Sequence, residues 1–228
     1  MKKTILIASV LALSLSSMAV ADEFGSGFDV ALKGGTLGGG IEVSSMMSRT
    51  YGVRANLNGL SYNDNRDAGD LTYDTDIDFL SIGMLGDYYP FQSAFRISAG
   101  LYYNNNTVTG HFSPMGGESF QLGDGVYTAN EIGGVTTDVE WENTVAPYIG
   151  IGWGSNSNNK GFGLTVDIGA MYQGSTLITT TPEINAGVPD YVRAQILADA
   201  HRETAVVQKD IEEYTWYPVI SIGVSYAF

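Results

Sequence analysis

With 25 acidic residues against 11 basic ones over 228 positions, and a formal net charge of −14, the chain lacks the basic surface that nucleic-acid phosphates require. It has no cysteine, which excludes disulfides and thiolate metal sites. Its 29 glycines and 14 tyrosines instead suit a strand-rich chain with crowded faces and aromatic belts.

Lys2 and Lys3, the apolar run 5–15 and the small residues Ala19 and Ala21 read as a secretory signal peptide over 1–21. The run is too short to cross a bilayer as a helix, and no comparable run follows. A cleaved leader leaves one domain, 22–228, with 9 basic residues (11 less the two leader lysines) against 25 acidic ones. In that domain Phe28, Val30 and Leu32 alternate with Asp29, Ala31 and Lys33, the period of a strand with two unlike faces. Gly34-Gly-Thr-Leu-Gly-Gly-Gly40 lacks the Gly-Lys-Ser/Thr ending and following helix of a phosphate-binding loop, and reads as a tight turn. No cofactor is expected. Further alternating strands are expected at 37–47, 51–58, 73–88, 95–104, 138–153, 162–173 and 216–228. The stretch 63–72 is loop by composition, as is 111–134. Within 73–88 the apolar phase shifts at Phe79-Leu80, which predicts a β-bulge. The 182–213 segment does not alternate. Val192, Ile196, Ala200, Val207 and Ile211 fall at helical spacing, which predicts an amphipathic helix over 190–212, with Asp190 placed to cap it.

Short turns near Arg49, Gln92 and Asn156 alternate with longer loops, so eight strands with both ends on one side fit the pattern. A secreted β-sandwich also has one apolar face. The opposite face here is rich in glycine, serine and alanine with isolated charges, as the cramped interior of a small barrel demands. Tyr51, Tyr88, Phe95 and Trp153 lie near the short turns, where an aromatic girdle belongs. The expected fold is all-β: an eight-stranded antiparallel transmembrane β-barrel with an amphipathic helix in the last extracellular loop. Its expected location is the outer membrane of a Gram-negative bacterium, in contact with outer-membrane lipid.

The last strand carries Ile220, Ile222, Val224, Tyr226 and Phe228 on one face and ends on an aromatic residue. It resembles the closing strand of bacterial outer-membrane barrels, which implies that these five residues serve as an assembly signal for the barrel-assembly machinery. Asn143-Thr-Val-Ala-Pro-Tyr-Ile-Gly150 resembles a family of small proteobacterial outer-membrane proteins that includes the CarO-type porins. Asp87-Tyr-Tyr-Pro-Phe91, Gly169-Ala-Met-Tyr-Gln-Gly174 and Tyr214-Thr-Trp-Tyr-Pro-Val219 extend the likeness over most of the chain. OmpW-like barrels are a more distant resemblance. The resemblance implies a barrel and, for the CarO-type members, uptake of ornithine and other basic amino acids. These are architectural motifs, and no ligand-binding residue is carried over from them.

Glu42, Arg54, Asp87, Arg96, Glu140, Glu142 and Asp167 fall on the inward register. They could select a solute, or pair with one another to fill the lumen. Asp74, Asp76 and Asp78 form an acidic rung near the outer mouth. Phe79 and Leu85 replace the glycine and glutamate a calcium loop would need, so no metal site is expected. The expected function is a narrow, cation-favouring path for small solutes such as basic amino acids, drawn by the acidic balance. The alternative is a non-conducting surface barrel with a structural or partner-binding role. The pair His111 and Ser113 resembles the His-x-Ser of lipid A deacylases, but Pro114 follows at once and no matching acid is identifiable, so no enzyme is expected.

Overall fold

The computed structural model describes residues 27–68, 71–114, 119–154 and 160–228. The expected leader, 1–21, and the expected turn at 155–159 lie outside the described residues. Five strands come first: β1 (Phe28–Gly35), β2 (Gly38–Met46), β3 (Tyr51–Ala68), β4 (Leu71–Tyr88) and β5 (Phe95–Asn104). They are followed by β6 (Thr107–Pro114), β7 (Ser119–Leu122), β8 (Gly125–Thr128) and β9 (Ile132–Trp141). The chain then runs through β10 (Val145–Trp153), β11 (Gly161–Tyr172), β12 (Thr176–Ile184), the helix α1 (Asp190–Ile211) and β13 (Trp216–Ala227).

Eight strands close an antiparallel ring in the order β1-β2-β3-β4-β5-β10-β11-β13. Closure runs through β1 and β13, from Asp29 opposite Ala227 to Gly35 opposite Ser221. Phe228 N–H donates to Phe28 O at 3.1 Å, and the two rings stack with centroids 4.7 Å apart. A closed ring is what a β-chain needs in hydrocarbon, where an unpaired backbone group finds no water. The glycine stretch makes the expected tight turn: Gly35 pairs with Gly38 around Thr36-Leu37, and Gly38 sits at φ 91°, a conformation that favours glycine.

Alternation sorts the two faces as expected. Leu32, Val53, Met84, Leu101, Ile149, Leu164 and Ile222 are exposed on the outer wall, whereas Ala31, Arg54, Leu85, Tyr102, Tyr148 and Thr165 are buried inside it. The start of β1, the end of β13 and the turns near Arg49 and Gln92 share one end of the barrel, the near end. Rings pair there: Tyr51 with Tyr88, Phe95 with Trp153, and Phe162 with Tyr226. Tyr172 and Trp216 pair towards the far end. Phe162 and Tyr172 are ten residues apart on β11. At about 3.3 Å per residue and a tilt of about 40° this spans about 25 Å, the height of an outer-membrane apolar band.

Beyond the far end the sheet does not stop. The upper half of β4 leaves β5 and pairs with β6, which pairs with β9, which pairs with β12. Together with the β7-β8 hairpin and α1 these strands form a cap. It corrects several expectations. Of the stretch 63–72, the described residues 63–68 and 71–72 belong to the paired ends of β3 and β4, and the described part of 111–134 takes in the end of β6, all of β7 and β8 and the start of β9. The expected strand at 138–153 is two strands, β9 in the cap and β10 in the ring, separated at Glu142–Thr144. The strand β12 has no counterpart in the sequence reading. The predicted bulge at Phe79-Leu80 is absent. β3 and β4 pair in one unbroken register from Tyr51 opposite Tyr88 to Ala68 opposite Leu71. The backbone phase is constant, and the surroundings change. Below Leu80 the even face meets lipid. Above it the odd face, with Ile77 and Phe79, turns into the cap, where Phe79 lies edge-on to Trp141.

The helix is present as Asp190–Ile211, but Asp190 does not cap it. Pro189 holds the N-cap position, no side chain caps the first turn, and Asp190 lies one residue inside. A carboxylate there is still favoured by the helix dipole. Ile196, Asp199 and Ala200 form its buried face.

Ile168 lies halfway between the two girdles, opposite Ile151 and Ile220. Ile168→Arg should cost about 2–4 kcal/mol in urea unfolding from lipid vesicles. Val126→Arg, on the water-exposed β8, should stay within about 0.5 kcal/mol. Equal costs at the two positions would refute the assignment of the lipid face.

Candidate functional site

The lumen is crossed by one connected set of charges. Arg54, on β3, reaches Asp87 through Nε at 2.6 Å, and Glu42 and Asp167 through Nη1 at 3.1 and 3.2 Å. Arg96, on β5, joins Asp167 at 2.7 Å and donates to Thr165 Oγ1 at 2.9 Å. Lys33, on β1, binds Glu42 at 3.0 Å and Asp167 at 2.5 Å. Ser98 accepts from Arg54 Nη2 and donates to Asp87 Oδ1, at 2.9 and 2.6 Å. None of these six charged side chains is more than 8 % exposed. Three cations face three carboxylates, so the network is neutral. Removing charges from water is costly, and the cost is met here because each of the six side chains has an opposite charge within 3.0 Å, although Arg96 Nε is left without a hydrogen bond.

On the far-end side of this lattice lies an apolar tier. Leu37, Leu85, Met171 and Val219 close around Tyr102 and Tyr148, whose rings meet edge-on at 5.4 Å. A Cβ at Gly150 or Gly169 would collide with the Tyr148 hydroxyl, so these glycines let that ring lie across the bore. A tier of amides follows. Asn56 donates to Tyr102 Oη at 3.2 Å, Asn58 to Ser81 Oγ at 3.3 Å, and Asn104 to Gln173 Oε1 at 2.8 Å. The gap left between Lys33, Asn56 and Tyr102 is about 10 Å³, room for one water at most.

Five of the seven predicted lumen residues, Glu42, Arg54, Asp87, Arg96 and Asp167, are therefore brought together. Glu140 and Glu142 are not. Glu140 lies on β9, on the outward face of the cap opposite Leu177, and Glu142 lies in the exposed link after it, accepting from Ser175 N–H at 3.4 Å. The inward phase read through 138–153 fails because the chain changes sheets between them. Lys33 belongs to the network but was not among the candidates, although it shares the inner register of β1 with Asp29 and Ala31. Asp74 and Asp76 sit on the outward face of β4 above the lipid band, held by Asn65 and Asn63 across the hairpin. Asp78 shares that face, opposite Ser61 and Thr107. His111 Nδ1 engages Thr136 Oγ1 at 3.0 Å on the same side of the cap. Ile220, Ile222, Val224, Tyr226 and Phe228 form an exposed row on β13.

The cap holds a second site. Phe112, Val135 and Ile178 point from β6, β9 and β12 towards α1 and β7, and enclose with them a cavity of about 250 Å³. Two side-chain clamps hold the helix in place. Tyr127, on β8, donates to Asp199 Oδ2 at 2.6 Å, while Arg202 binds Asp199 and Asp124 at 2.7 and 2.8 Å. At the other end, Gln208 Oε1 accepts from Ile178 N–H at 3.0 Å and its Nε2 donates to Thr176 O. Burial first, then the facing Asp199 carboxylate, push the Tyr127 phenol from 10.0 up to about 12.

Two outcomes follow from these contacts. Asp167→Asn leaves Lys33, Arg54 and Arg96 with one carboxylate too few, and should destabilise the folded barrel by about 3–5 kcal/mol in urea. Glu140→Gln should fall within about 0.5 kcal/mol. The raised Tyr127 value means that the neutral phenol is favoured by docking. Its contribution is intact below pH 10 and is lost as the pH rises towards 12. A spin label at Ala205→Cys, single because the chain has no other cysteine, should gain mobility across that window, and Tyr127→Phe should remove that dependence.

No protein-family model matches the chain, and no curated protein matches it. Solved structures do. The chain is similar to CarO2 of Acinetobacter baumannii, at 19 % identity and a TM-score of 0.59, over 89 % of this chain and 98 % of that one. It is also similar to CarO of Acinetobacter baumannii, at 21 % identity and a TM-score of 0.53, over 89 % and 97 %. The fold is that of the eight-stranded outer-membrane β-barrels.

Proposed function

We propose that this chain is a non-conducting surface barrel whose working part is the cap at its far end. The observation that carries this reading is the filled lumen: a neutral lattice of six charges, a tier of aromatic and aliphatic side chains, and a gap of about 10 Å³. A cation-favouring path would need uncompensated carboxylates along the bore. Glu140 and Glu142 lie outside it, and Asp167 is taken up by Lys33, Arg54 and Arg96. On this reading the near end faces the periplasm after export by a cleaved leader, and the cap stands outside the cell. The exposed apolar row on β13 supports recognition by the barrel-assembly machinery.

The competing reading is the uptake channel for basic amino acids implied by the CarO-type resemblance. Reconstitution into liposomes separates the two, with swelling and conductance recorded for lysine, ornithine, glutamate and glucose. Folded protein should admit none of them faster than empty liposomes do. Faster entry of lysine and ornithine than of glutamate would overturn the surface-barrel reading.

A further inference from the structure

The cavity between α1 and the cap sheet is unlike the lumen in every respect that matters for binding. Its volume is about 250 Å³, against about 10 Å³ for the gap inside the barrel. An apolar cavity of about 150 Å³ is enough for benzene, so this one has space for a ring with a short arm. Its walls are apolar: Phe112, Val135 and Ile178 from the sheet, Leu122 from β7 and Val207 from α1. Its polar lining is Gln121, Thr137, Thr180, Glu203 and Thr204, and two of these have their donors engaged elsewhere: Gln121 Nε2 donates to Gly123 O at 3.0 Å and Thr204 Oγ1 to Ala200 O at 2.9 Å. Thr137 and Thr180, direct cross-strand partners, bring hydroxyl-bearing side chains to its wall. Glu203 stands at its exposed rim on α1 with no hydrogen-bond or ion-pair partner among the described residues. No lysine or arginine lines it, and the nearby Arg202 is engaged by Asp199 and Asp124. An apolar pocket with a few convergent oxygen acceptors and one free carboxylate is complementary to a small organic cation.

We propose that this cavity binds a small monoammonium compound with an apolar body, an arylalkylamine in shape. The apolar body lies against Phe112, Val135 and Ile178, and the ammonium donates to Glu203 and to the threonine hydroxyls. A basic amino acid is a poor fit, since its carboxylate would meet Glu203 and no cation. The inference rests on the surface-barrel reading only in placing the cap in the external medium.

Binding is measured by titration calorimetry on the full barrel in lipid nanodiscs at neutral pH, with empty nanodiscs subtracted. The probes are 2-phenylethylamine, its neutral analogue 2-phenylethanol, the anion 3-phenylpropionate, and ornithine. The amine should bind about ten-fold more tightly than the alcohol, the effect of one charge-assisted hydrogen bond at a part-open site, and more tightly still than the anion or ornithine. Glu203→Gln should bring amine and alcohol to within about two-fold. Val207→Trp fills the cavity from the helix side and should weaken both about ten-fold or more, while the Ala205 spin label reports that α1 remains docked. Equal binding of amine and alcohol to the unaltered protein would overturn the proposal. So would no amine binding above empty nanodiscs, or unchanged binding to a folded Val207→Trp variant. Permeation through the lumen alongside amine binding would overturn the surface-barrel reading and leave this one standing.

Discussion

A β-chain in hydrocarbon must pair every backbone N–H and C=O with another strand, and eight strands are few enough that closing the ring leaves almost no bore. The other features of the barrel are consequences of that narrowness. Inward positions are small, or they carry one large group that a neighbour makes room for, as Gly150 and Gly169 do for Tyr148. Any charge on the inner face is dehydrated, so it must find its opposite within the ring. Arg54 alone reaches Glu42, Asp87 and Asp167, which sit on β2, β4 and β11. The network therefore ties strands that are remote in the chain, and it balances at three against three. A lattice of this kind is a poor selectivity filter: a passing ion would have to displace a partner that is already bound, at the cost of stranding the other.

Where the lipid ends, the same strands obey different rules. β3 and β4 continue upward in unchanged register, yet the face that was greasy becomes polar, with Asn63, Asn65, Asp74 and Asp76, and the face that pointed into the lumen becomes the apolar one. The continuation of β5 follows suit. At the junction Leu80 O accepts from Asn105 N–H at 2.9 Å, and the Asn106 side chain accepts from Leu80 N–H at 3.0 Å in place of a backbone carbonyl. The ladder thus passes from ring to cap almost without a break while the role of its faces is exchanged.

That exchange explains what could and could not be read from the chain alone. Inside the band, apolar alternation reports lipid on one side and lumen on the other, so the eight ring strands, their faces and five of the seven lumen charges were legible. Above the band the hydrophobic phase inverts with no change in the backbone. Read with a single rule, the inversion at Phe79-Leu80 looks like an inserted residue, and Val139 and Trp141 look like a continuation of β10. The cap strands Thr107–Pro114 and Thr176–Ile184 are also rich in threonine and each carries a proline, a composition that does not read as a strand unless the partner strand is known. The cavity under α1 was illegible for a further reason. Its walls come from β6, β7, β9, β12 and the helix, and no local pattern records that these segments meet.

The ring has no edges, but the cap does, because among the described residues β12 pairs with no strand but β9, and its outer side is left open. An open edge of this sort invites pairing with other chains. Two features blunt it. Pro182 removes a donor from the strand, and Gln208 occupies Ile178 N–H and Thr176 O as a partner strand would. Gln208 is one turn beyond Thr204 on the helix that also carries Glu203 and Val207 into the cavity. The helix therefore performs two tasks through neighbouring residues: it screens the open edge and it covers the pocket. The Tyr127–Asp199–Arg202 clamp holds the helix at the cavity's other side, so the pocket exists only while the edge is screened. Loosening α1 would open the cavity and expose the edge together, and a ligand bridging the sheet and Glu203 would oppose both.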